Sequence, residues 1–178
     1  DPLAAFAAVL LFAEAGRLVR EGRALAATPL MASVAAAFVL LAAKGLEASD
    51  AAWIAAKERR VSAVVGDLAG RLGPDDTVQV LDTTGGGVHA LLRLRARQPT
   101  RFLYDFHFYH DVEADRIRTL RAELAAAFDA RPPRFVVLFE PGWPAGGYER
   151  VARFPALAER LGRYRVDARR DGYIVYAR

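Results

Sequence analysis

Residues 78–92 read VQVLDTTGGGVHALL, an apolar run that ends on Asp82-Thr83-Thr84, turns through three glycines and enters a second apolar run. The largely apolar character from Val78 onward suits a strand covered on both faces. The glycines mark a turn, and Val88 to Ala96 has helical spacing. A strand followed at once by a helix is the opening of a βα unit, so this stretch predicts an α/β domain.

Downstream, Arg101 to Asp105 is predicted as a second strand. A helix follows from Ala114 to Ala130, with Ile117, Leu120, Leu124 and Phe128 on one side and Pro132-Pro133 stopping it. Phe135 to Phe139 is the most strand-like run, and Tyr148 to Leu161 is helical with an interruption at Pro155. Tyr164–Ala168 and Tyr173–Tyr176 flank an Asp-Gly pair, which signals a hairpin. Alternating strands and helices predict a small three-layer α/β domain, with a mostly parallel sheet closed by a C-terminal antiparallel hairpin.

Upstream, Ala51 to Leu72 places Ile54, Val61, Val65, Leu68 and Leu72 at helical spacing, an amphipathic helix that Gly73-Pro74-Asp75-Asp76 terminates. Before it, residues 24–43 read ALAATPLMASVAAAFVLLAA, about 20 residues without a charge, which as a helix cover about 30 Å of hydrocarbon. Arg23 and Lys44 close the run, and Thr28 and Ser33 can each bond back to the helix. The competing reading is a core or interfacial helix, since so much alanine makes the run only modestly hydrophobic. Pro2 to Ala13 is too short to span alone but suits the tail of another spanning helix. A secretory signal is not expected, because the arginines follow the apolar run and no basic segment precedes it. With Asp1-Pro2 at its head and no Met, the chain is expected to start inside a longer sequence.

Arg17, Arg20 and Arg23 are expected in a short loop, which the positive-inside rule keeps in the cytoplasm. The organisation read from the sequence is therefore transmembrane helices over 1–44, a connecting helix over 45–72, and an extracytoplasmic α/β domain over 73–178. Charge and cysteine set further bounds. The 178 residues carry a formal +4, almost wholly from arginine, scattered along helices and not clustered as phosphate binding requires, so no nucleic-acid partner is expected. Cysteine is absent, so there is no disulfide framework or thiolate metal site.

Three segments are candidate sites. Asp82, Thr83, Thr84, Gly85 and Gly86, with Gly87 opening the helix, could cradle an anion, and Asp105 at the end of the predicted second strand could bind ribose hydroxyls. Together they outline a nucleotide or S-adenosylmethionine pocket, although the spacing departs from GxGxxG and such turns also serve only to join strand to helix. In FLYDFHFYHD, Asp105, His107, His110 and Asp111 invite a metal, but convergence needs a turn the sequence does not specify, and a packed aromatic loop is the ordinary reading. Phe102, Tyr104, Phe106, Phe108 and Tyr109 could also shape a cleft facing the membrane. The third segment, FEPGWPAGGY, sets Glu140, Trp143 and Tyr148 in a loop at the carboxyl end of a strand. No Ser/His/Asp set, Walker loop or paired-carboxylate motif is present, and His89 has no obvious partner.

The order of parts, with VQVLDTTGGGVHALLRL, TRFLYDF, PPRFVVLFE and DGYIVYAR behind arginine-bounded apolar segments, resembles the carboxyl-terminal end of bacterial GT-C membrane glycosyltransferases of the dolichyl-phosphate-mannose protein mannosyltransferase-like superfamily. The resemblance implies a polyprenyl-phosphate-linked sugar donor and a glycan, lipid or protein acceptor outside the inner membrane. Catalytic acids in that family lie in an early outer loop, so none is carried over to this chain. It implies no cofactor here, and leaves divalent-metal use by the whole enzyme open. The alternative expectation is a membrane-tethered α/β module that binds a nucleotide-like small molecule.

Overall fold

The computed structural model describes residues 10, 13–14, 16–22, 24–45, 48–143 and 146–178. The chain divides into two compact units, Asp1–Ile54 and Ala55–Arg178.

In the first unit, residues 16–20 are helical and only 21–22 form a turn, so Arg17 and Arg20 sit on a helix and not in the expected loop. Arg17 pairs with Glu14 and Glu21 one turn away on either side, which offsets its charge. Helix α1 follows over Ala24–Gly45, and Ser33 Oγ donates to the Pro29 carbonyl at 2.9 Å. Among the described residues no helix is long and apolar enough to cross a membrane. The expected span at 24–43 draws on side chains at 24–28, 30 and 41–43, which lie outside the described residues, as does most of the run from Pro2 to Ala13.

Helix α2 covers Ala48–Leu68, and its residues from Ala55 onward belong to the α/β unit. Val61, Val64 and Leu68 are buried at i, i+3 and i+7, so they lie on one face. That face is core, which starts the α/β unit at Ala55 and not at residue 73. The sheet comprises β1 (Val78–Leu81), β2 (Phe135–Phe139), β3 (Arg165–Arg170) and β4 (Tyr173–Ala177), in the order β1-β2-β4-β3. The helices that pack on it after β1 are α3 (Gly87–Leu94), α4 (Asp115–Ala130) and α5 (Pro155–Leu161).

Both faces of the sheet are covered, which accounts for the unbroken apolar run of β2 and for the burial of all four residues of β1, Gln79 included. One layer packs Val61, Val64 and Leu68 of α2 and Ala90 and Leu91 of α3 against Val80, Val137 and Val175. The other packs Leu124 and Phe128 of α4 and Leu157 and Leu161 of α5 against Leu81, Val136 and Leu138. A fully buried side chain of this size contributes about 1.5–3 kcal/mol.

Two expectations are corrected. The sheet is mixed and not mostly parallel: only β1 and β2 run parallel, because a single crossover returns to it, and β4 and β3 add antiparallel neighbours. Arg101–Asp105 is not a strand. Pro99 offers no amide, and side chains take over the ladder: Gln98 Oε1 accepts from Val80 N–H at 3.2 Å, while the Gln98 and Gln79 amides donate to the Phe102 carbonyl at 2.7 and 3.3 Å. The segment thus seals the free edge of β1 without extending the sheet.

Helix α2 is fastened to the hairpin by carboxylates. Asp67 accepts from Arg170 Nη2 at 2.9 Å and from the Tyr173 hydroxyl at 2.8 Å, and Arg71 pairs with Asp167 at 2.7 Å. The Arg170 and Arg71 guanidinium groups respectively hold the Asp67 and Asp167 carboxyls below their ordinary value of 3.8. A depressed folded-state value means the stabilisation is fully present above the ordinary value and is lost as pH falls through the lowered one. Acid unfolding followed by circular dichroism should therefore show stability falling below about pH 4. Asp67→Asn should cost about 1 kcal/mol at pH 7 and flatten that fall.

Candidate functional site

The predicted pocket residues meet at the carboxyl ends of β1 and β2, with their polar groups turned inward. Asp82 is 1 % exposed, and its carboxylate accepts the amides of Gly85 at 2.6 Å, Gly86 at 2.9 Å and Gly87 at 2.7 Å. These amides open helix α3 and are the donors an incoming anion would need. Asp82 already fills that place. The glycines are required for closeness: a Cβ at Gly85 would lie 2.6 Å from Phe139 Cδ1, and one at Gly86, whose φ is +113°, would lie 2.5 Å from Val61 Cγ2.

Asp105 is also 1 % exposed and engaged. Its amide donates to the Asp82 carbonyl at 2.8 Å, its Oδ1 accepts from Thr83 Oγ1 at 3.0 Å, and its Oδ2 accepts from Arg150 Nε and Nη2 at 3.0 and 2.8 Å. Arg150, likewise 1 % exposed, also donates to the carbonyls of Gly147 and Leu81 at 2.6 and 3.3 Å. Burial pushes the Asp105 carboxyl up, against the pull of Arg150 and Thr83, and the neighbouring Asp82 adds to the rise. Arg150 escaped the sequence reading because arginines crowd that half of the chain. The available signal was an aspartate among aromatics, which needs a cation once buried.

His107 and His110 do not converge. The His107 ring lies against Phe106, with centroids 3.8 Å apart, and the exposed His110 lies 5.5 Å from the Trp143 ring. Among the described residues no three His, Cys, Asp or Glu side chains could hold a metal ion. Trp143, 58 % exposed, also faces Phe106 at 6.3 Å, so the second and third candidate segments join in one aromatic group.

Thr83, Thr84, Gly86, His89 and Tyr104 border a cleft of about 100 Å³. Small-molecule sites hold roughly 300–1,000 Å³, so an adenosine cofactor does not fit there. A hollow of about 380 Å³ lies at the other end of the sheet beside Phe128 and Tyr164, where Arg160 and Arg163 are both paired with Asp129. No known protein family, curated protein or solved structure matches this chain. What its sheet edge does is therefore read from its own geometry. Both buried carboxylates there are committed to internal donors.

Two substitutions check this assignment by chemical denaturation. Arg150→Met should destabilise the fold by about 3–5 kcal/mol, because Asp105 then remains as an uncompensated buried charge. The Tyr109 hydroxyl, buried and without a hydrogen-bond partner, predicts the opposite sign for Tyr109→Phe: a gain of up to about 1 kcal/mol.

Proposed function

We propose that this chain is the carboxyl-terminal part of a bacterial membrane glycosyltransferase that draws its sugar from a polyprenyl-phosphate donor. The α/β unit is its non-catalytic extracytoplasmic domain, and the acceptor is a glycan, lipid or protein outside the inner membrane. Any divalent metal the enzyme uses is held elsewhere in it.

The observation that carries the membrane placement is the surface of α1. Phe38, Val39 and Leu40 are 71, 65 and 70 % exposed. Successive helical residues point about 100° apart, so these three present apolar surface around most of the helix. A helix apolar all round is stable in a protein core or in lipid, not in water. The non-catalytic role draws on the committed carboxylates Asp82 and Asp105, which are donor-saturated and sealed from solvent. The same saturation disfavours a nucleotide-binding module, since an added phosphate would have to displace the Asp82 carboxylate.

The chain has no cysteine, so single cysteines report its topology cleanly. In cells with a permeabilised outer membrane, a membrane-impermeant maleimide should label Glu159→Cys before lysis and Arg20→Cys only after it. Recovery of the intact protein in the soluble fraction without detergent, or the reverse labelling order, sinks the placement. Membranes carrying the intact gene product should consume a polyprenyl-phosphate-linked sugar, and absence of turnover across such donors rejects the transferase assignment.

A further inference from the structure

The carboxyl edge of the sheet carries exposed rings that the core does not explain. Tyr104 is 41 % and Trp143 58 % exposed, and Phe106 bridges them with its ring 6.5 Å from Tyr104 and 6.3 Å from Trp143. Beside Tyr104 the surface sinks into a cleft of about 460 Å³ bordered by Arg101, His107, Arg116 and Leu103. Arg101 is neutralised by Glu123, with contacts of 2.7 and 2.8 Å. Among the described residues Arg116 and His107 have no hydrogen-bond or ion-pair partner, and no carboxylate lines the cleft. The site therefore combines stacking faces, one uncompensated guanidinium and one unpartnered imidazole.

We infer that this edge binds an acidic pyranose, as in a uronate-containing glycan. The cleft volume suits about one sugar unit. A pyranose presents a face of weakly positive C–H groups that the negative face of the Tyr104 ring attracts. The carboxylate borne on its ring meets Arg116, and His107 bonds a hydroxyl. Trp143, continuous with Tyr104 through Phe106, stacks on the neighbouring sugar. A bilayer surface fits less well, because headgroup binding draws on several converging cations beside an aliphatic face, and the cleft provides a single unpaired guanidinium. This assignment stands on the rings and the cleft, and does not depend on the transferase reading.

Trp143 shares the chain with one other tryptophan, Trp53, so in a Trp53→Phe background its emission reports the site alone. The full chain in detergent is titrated with an oligoglucuronate, with a neutral cello-oligosaccharide of equal length, and with phosphatidylglycerol vesicles. The expected result is saturable quenching by the uronate and at least about tenfold weaker binding of the neutral sugar. Arg116→Gln should erase that preference, Arg116→Lys should keep part of it, and Tyr104→Ala should weaken both sugars by about tenfold. Both side chains are exposed, and circular dichroism checks that the variants remain folded. Absence of saturation, equal affinity for the two sugars, indifference to both Arg116→Gln and Tyr104→Ala, or a response to vesicles alone overturns the assignment.

Discussion

The carboxylate of Asp82, held by three successive glycine amides, is the contact on which the α/β unit depends. A carboxylate this deeply buried would cost several kcal/mol alone, and three charge-assisted hydrogen bonds of about 1.5–3 kcal/mol each offset that. The geometry follows from the demand. Amides converge on one side chain only if the turn is tight, and it is tight only because Gly85 and Gly87 let the backbone approach Phe139 and Asp82 itself. Helix α3 thereby starts against β2, and the Asp82 carbonyl becomes the anchor for the Asp105 amide.

Arginine does the corresponding work elsewhere in the unit. Arg150 binds one carboxylate and two carbonyls where the segment after β1 meets the loop after β2. Arg121 donates to the Phe108 carbonyl at 2.8 Å, Arg160 to those of Ala125 and Ala156 at 3.0 and 2.8 Å, and Arg60 to that of Gly85 at 3.2 Å. A planar guanidinium with five donors can satisfy several orphan carbonyls at once, which a lysine ammonium does less well. Several arginines thus act as donors to the fold's own carbonyls.

Elements whose residues bury one continuous surface were legible in the sequence: β1, β2, helix α4 and the Asp-Gly hairpin fall where periodicity and turn chemistry put them. Arg101–Asp105 has the aromatic and apolar centre of a strand, Phe102-Leu103-Tyr104, while its hydrogen bonds are decided by Gln98 beside it and by Gln79, 23 residues away, which no local pattern encodes. The glycine turn was located correctly, but the direction of its amides was not, because an aspartate just before a helix can cap the turn or leave it open to a ligand. Arg150 shows the same limit, since only the folded chain selects one arginine for Asp105. The joining of Phe106, His110 and Trp143 across residues 106–143 was likewise beyond local spacing.

Chemistry and recognition make opposite demands on polar groups, and the carboxyl edge separates them. A group that moves protons or attacks a substrate must be reachable and incompletely satisfied. Asp82, Asp105 and Arg150 are neither, being almost fully buried and bonded to one another's backbone or side chains. Apart from the buried Tyr109 hydroxyl, the unsatisfied polar groups among the described residues of this edge include the His107 imidazole and the Arg116 guanidinium at the surface, where hydration keeps each interaction weak. The buried, hydrogen-bonded carboxylates and the exposed aromatic rings thus occupy different depths of the same edge.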